Sequence, residues 1–174
     1  MKKLLALTCL AFTAFAAADD PSLRAAFQSK YDSVNSAIKA GDLHAVAGLC
    51  DSRKFVATDI QKQHQSLGQF LKGFDQKGLE VSTHVESADT LNGMAKTALR
   101  VALTRNADEK GKTVRYKTVK TEEDTWEQVG DDWKIVGIRL TSIVVTRDGK
   151  TILEQHENVP TDWDRQYSRR THHA

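Results

Sequence analysis

Residues 124–142 read DTWEQVGDDWKIVGIRLTS, two strand-like runs joined by a polar turn. A two-residue loop at Gly130-Asp131 suits a hairpin, because glycine adopts the positive φ that such turns need at no steric cost. That register places Trp126 opposite Ile135 and Glu122 opposite Arg139. After the turn, Trp133, Ile135, Gly137, Arg139, Thr141 and Ile143 share one face, while Val136, Ile138, Leu140 and Val144 share the other. Both faces are rather apolar, as expected of a central strand, so alternation alone does not choose the inner one.

The same period extends upstream. Leu79, Val81, Thr83 and Val85 alternate with Glu80, Ser82, His84 and Glu86, and Asn92-Gly93 marks a turn. Residues 95–105 form the next strand, and the polar turn 108–111 leads into a long strand over 113–129. Before residue 79 the period is helical. Asp20-Pro21 reads as an N-cap and first helical residue, followed by Leu23, Phe27, Tyr31, Val34 and Ile38 at helical spacing. Gly41 ends this helix and Asp42 caps a second, with Leu43, Val46, Ala47 and Cys50 on one face. Residues 54–60 suit a short strand, and Ser66-Leu67-Gly68-Gln69 has capping-box spacing for a third helix. Helices first and long strands afterwards predict an α+β domain over 19–150, with three N-terminal helices packed in a curved antiparallel β-sheet. Residues 151–174 read as a polar C-terminal extension whose Arg165, Arg169 and Arg170 are solvated.

The run 37–59, AIKAGDLHAVAGLCDSRKFVATD, together with 124–142, resembles the nuclear transport factor 2-like superfamily, which includes ketosteroid isomerase and polyketide-cyclase-like enzymes. The resemblance spans about residues 22–146 and implies a cystatin-like cone enclosing a pocket, used for catalysis, binding or dimerisation. It favours the Trp133 face as interior, since family members often carry a histidine where this chain has Arg139. By the same resemblance Asp59 falls near the isomerase base and Asp124 at the oxyanion-hole aspartate. The isomerase tyrosine position is occupied by Val34, with Tyr31 one turn earlier on the same face.

Residues 1–18, MKKLLALTCLAFTAFAAA, combine Lys2 and Lys3, an apolar run and a small-residue site before Asp19, the pattern of a secretory signal peptide. The expected product is exported, periplasmic or secreted. Its loss takes Lys+Arg from 25 to 23, equal to the Asp+Glu count, and leaves Cys50 as the sole cysteine, read as a buried thiol. A neutral chain carries no general attraction for nucleic acid or an anionic membrane. The scattered histidines, His84 and the pair His172-His173 among them, lack metal-ligand spacing, and no P-loop or dinucleotide fingerprint is present, so no metal or cofactor is expected.

Three functions follow. In the first, a small, partly apolar, anionic ligand binds in the cone, with Arg139 as anchor, Glu122 beside it, and Tyr31, Trp126 and Trp133 as wall. In the second, Asp59 and Asp124 act as acid and base in an isomerase, dehydratase or cyclase. In the third, the apolar outer stripe Val136, Ile138, Leu140 and Val144 pairs with another copy as a homodimer.

Overall fold

Helix α1, Pro21–Ala40, starts where the sequence places it. The Asp20 carboxylate accepts hydrogen bonds from the Ser22 and Leu23 backbone N–H groups at 2.9 and 3.2 Å, relieving two of the orphan donors of the first turn. Gly41 ends the helix at φ 75°, and its N–H donates to the Ile38 carbonyl at 3.0 Å. A computed structural model describes residues 19–74, 78–91 and 93–157; the expected leader, Arg165, Arg169, Arg170, His172 and His173 lie outside them. Helix α2 spans Leu43–Gly48 and strand β1 Val56–Thr58. Strand β2, His64–Gln65, leads into helix α3, Leu67–Lys72. The expected capping box is present, with the Ser66 N–H donating to Gln69 Oε1 at 2.8 Å. The long strands are β3 Glu80–Leu91, β4 Met94–Glu109, β5 Lys112–Val129, β6 Asp132–Arg147 and β7 Lys150–His156.

These strands form one sheet in the order β2-β1-β6-β5-β4-β3, with β7 also on β6. The sheet is not wholly antiparallel as expected, because β1 runs parallel to residues 137–139 of β6. β6 shares one edge between two partners, β1 near its middle and β7 beyond residue 142. The first residues of the expected polar extension are therefore ordered as an edge strand. Their side chains are mostly exposed, so backbone pairing rather than burial seats them.

The β5–β6 hairpin turns at Gly130-Asp131 and pairs Trp126 with Ile135, as expected. One residue later the register slips: Thr125 faces Gly137, leaving Val136 as an extra residue, and a second slip leaves out Thr141. A bulge inserts one residue into one strand, so it exchanges inward and outward positions beyond it. Trp133 and Ile135 keep the inner phase, but Ile138 replaces Gly137 and is buried in the core. Arg139 then faces Glu123 rather than Glu122. The expected outer stripe loses Ile138 for the same reason, while Leu140 pairs with Glu122.

Helix α1 covers the inner face. The Gln28 amide donates to the Thr83 carbonyl and accepts from the Val85 N–H, both at 2.8 Å, and so stands in for a strand on the β3 edge. The Asp20 N–H donates to the Ala88 carbonyl at 2.8 Å and Asp19 accepts from the Ala88 N–H at 3.0 Å. Phe27, Leu99 and Trp126 are the largest fully buried apolar side chains of the core beneath the helix. Burying each contributes on the order of 2–3 kcal/mol.

Candidate functional site

The inner face of β5 carries Trp126, Asp124, Glu122 and Lys120 in alternating positions. No bulge interrupts β5, so the period of two holds along this stretch. Trp126 is fully buried and its indole N–H donates to Thr97 Oγ1 at 3.1 Å. Its ring lies 4.4 Å from that of Phe27 and edge-on to Tyr31 at 5.5 Å. Trp133 packs edge-on against Phe27 at 5.9 Å. Both tryptophans are spent on the core and neither lines the cavity between the helices and the sheet, contrary to their expected role as pocket wall.

The cavity lies between the three helices and the sheet and measures about 50 Å³. It is several times the ~10–15 Å³ that admits one water. Its wall is apolar, with Val34, Ile38, Val46, Phe70 and Ile138 among the lining side chains; the polar groups are Tyr31, Asn35, Cys50, Thr83, Glu122 and Asp124. Asn35 Oδ1 accepts from the Thr83 hydroxyl at 3.0 Å. The Tyr31 hydroxyl donates a hydrogen bond to Asp124 Oδ2. Asp124 Oδ1, on a residue only 1% exposed, has no protein partner among the described residues.

That environment decides the protonation of the site. Burial raises the Asp124 carboxyl well above the usual range, the Glu122 charge raises it further, and the Tyr31 hydrogen bond opposes them. Glu122 is itself raised by burial, against the nearby Lys120. Burial and then the Asp124 charge push the Tyr31 hydroxyl well up. The Cys50 thiol is pushed up to about 12, chiefly by burial, so it is not a ready nucleophile. A carboxyl that keeps its proton can donate from Oδ1, and one that loses it seeks a cation or donor there.

A second, outer chamber of about 90 Å³ adjoins the first, with Phe70, Glu122 and Ile138 lining both. Asp59 borders only the outer one. Its Oδ1 accepts from the Gln63 N–H at 2.8 Å, and its backbone bonds to Gln63 and Lys62, which makes it the residue that holds the β1–β2 turn. Asp59 and Asp124 therefore do not share a cavity; Glu122 and Asp124 do. The Arg139 side chain, 44% exposed, reaches Glu123 and Glu157 at 2.6 Å each and lines neither chamber. The bulge at Val136 turned it out of the cone, so it cannot anchor a ligand there. No group of metal-ligating side chains occurs among the described residues.

Asn35, Cys50 and Thr83 were not foreseen as cavity residues. Their positions were readable: Asn35 lies one turn after Tyr31 on α1, and Thr83 sits in phase with Val81 and Val85. The convergence of three separate elements was not readable.

No family model matches the sequence, and no curated protein matches it. Solved structures do share the fold. A nuclear transport factor 2-like superfamily protein from Salmonella enterica is 12% identical, with TM-score 0.54 over 69% of this chain and 90% of that one. A similarly described protein of unknown function from Shewanella oneidensis is 17% identical, with TM-score 0.54 over 70% and 98%. A domain of unknown function with a cystatin-like fold from Nostoc punctiforme is 10% identical, with TM-score 0.52 over 87% and 86%. The chain thus has the cystatin-like α+β cone of the nuclear transport factor 2-like proteins, with a small, apolar, carboxyl-bearing cavity inside it.

Proposed function

We propose that this is an exported domain that binds a small molecule inside the cone. The observation that carries the reading is Asp124 Oδ1, a buried polar atom of a cavity-lining residue, with no protein partner among the described residues. An unmet buried acceptor or donor costs roughly 1–3 kcal/mol, which a ligand group placed there would recover. The rest of the wall suits a compact apolar body. The expected anionic ligand loses its support, because Arg139 lies outside and the charged side chains lining the cavity are both carboxyls. A ligand screen by thermal shift on the wild-type and Asp124→Asn proteins tests the reading. Hits that stabilise only the wild type are expected, and hits indifferent to the substitution would count against it. Export rests on the leader pattern of residues 1–18. N-terminal sequencing of protein recovered from outside the cytoplasm should begin at Asp19.

A second reading is acid–base catalysis, favoured by the Tyr31–Asp124 hydrogen bond beside Glu122. Two carboxyls that resist ionisation together can hold and pass one proton. Here the working pair is Asp124 and Glu122, not Asp59. Turnover of any cavity ligand, lost in Asp124→Asn and in Glu122→Gln, separates catalysis from binding. Self-association has weaker support, since Ile138 turns inward and leaves Val136 and Val144 of the outer stripe. Light scattering at high micromolar concentration should give the monomer mass.

A further inference from the structure

Resting on the binding reading above, we infer that the cavity takes a small monocationic amine with an apolar body, its ammonium group between Asp124 Oδ1 and the Glu122 carboxyl. Three observations lead there. Asp124 and Glu122 are two residues apart on an uninterrupted strand, so both side chains leave the same face and line one cavity. One of their oxygens, Asp124 Oδ1, is buried and has no protein partner among the described residues. No cationic side chain lines that cavity.

The surroundings on every side are consistent with this. Helix α1 presents Tyr31 and Asn35, and of these the Tyr31 hydroxyl is committed to Asp124 Oδ2. Two residues past α2 lies Cys50, a thiol held neutral by burial. Helix α3 contributes Phe70, while β3, β4 and β6 contribute Thr83 and aliphatic side chains, none of them charged. Lys120 does not line the inner cavity; it borders the outer chamber, where its charge acts on Glu122.

An ammonium ion has three donors and no acceptor, which matches a site whose buried unpartnered polar atom, among the described residues, is a carboxyl oxygen. It also removes the conflict between the carboxyls. Without a cation, at least one must hold a proton or the two carboxylates repel each other; with one, either can ionise against the positive charge. The proton so displaced leaves to solvent, so cation binding is linked to proton release. An anion would meet two acidic groups, and a neutral amide or carbonyl would require Asp124 to stay protonated. The sign of the pH dependence therefore distinguishes the classes. Amine affinity rises with pH while the amine itself stays charged, and affinity for a neutral acceptor falls. At about 50 Å³ the cavity limits the body to a few carbon atoms.

The test uses three branched four-carbon probes, isobutylamine, isobutyramide and isobutyrate, titrated by two-dimensional NMR into the full-length protein at pH 5, 6, 7 and 8. Isobutylamine should shift the amides of Tyr31, Cys50 and Asp124 and bind at least tenfold more tightly at pH 8 than at pH 5. Asp124→Asn should weaken it at least tenfold. Should that variant not fold, Glu122→Gln and the wild-type pH series carry the same test. Binding of isobutyramide or isobutyrate in preference, or amine affinity that is flat or falls with pH, would overturn the amine assignment and leave the cavity a binding site. Absence of binding by all three at 100-millimolar concentration would overturn both.

Discussion

Replacing Asp124 by asparagine should change how stability depends on pH, and the size of the change follows from the site. Burial first, and then the Glu122 charge, raise this carboxyl, whereas in the unfolded chain it titrates near the ordinary value of about 3.9. Between those two points the folded protein binds one more proton at Asp124 than the unfolded protein does. Linkage then makes stability fall as pH rises, by about 1.4 kcal/mol per pH unit for one proton. The contribution is whole below the unfolded value, and the loss is complete once the folded carboxyl ionises. Asp132 has the opposite sign. Lys30 and then Lys134 lower it to about 2, so its small, largely exposed contribution is present above the unfolded value and lost only in acid. It does not mask the Asp124 slope above pH 5. Urea unfolding followed by tryptophan fluorescence, at half-unit steps from pH 4.5 to 8, measures the effect. The stability of Asp124→Asn minus that of the wild type should climb by up to about 1.4 kcal/mol per unit and then level off. Glu122→Gln should shorten the climb, because it removes the second cause of the shift. Parallel wild-type and Asp124→Asn curves over the whole range would refute the argument, since Asp124 would then titrate as an exposed carboxyl does.

Three further outcomes follow from particular contacts. Tyr31→Phe leaves the second Asp124 oxygen without its donor as well and should cost about 1–3 kcal/mol, read by urea unfolding at pH 5. Arg139→Ala breaks two ion pairs outside the cavity, one with half-exposed Glu123 and one with Glu157, which keeps Lys62; it should cost on the order of 1 kcal/mol and leave binding of any cavity ligand unaltered in the same NMR titration. Cys50, buried and with its thiol pushed up to about 12, should resist a thiol-specific disulfide reagent in the native protein and react at once in urea.

The α+β order, the capped helices, the turn at Gly130-Asp131 and the shared face of Glu122, Asp124 and Trp126 were all legible along the chain. Each depends on spacing between near neighbours, which the backbone periods of 3.6 and 2 translate directly into faces. Tyr31 was legible for the same reason, being one of the apolar-phase positions of α1. What the chain could not reveal was anything that depends on a change of phase or on a distant partner. The Val136 bulge exchanges the faces of β6 and sends Arg139 outward, and Gly137 beside it is only a weak sign of such a break. The parallel seat of β1, the pairing of β7 and the split of the interior into two chambers likewise arise from residues far apart in sequence. Local composition determined that two carboxyls lie on one inward strand face. Tertiary packing decided that Tyr31 meets one of them, that no cationic side chain lines the cavity they share, and that this cavity is small.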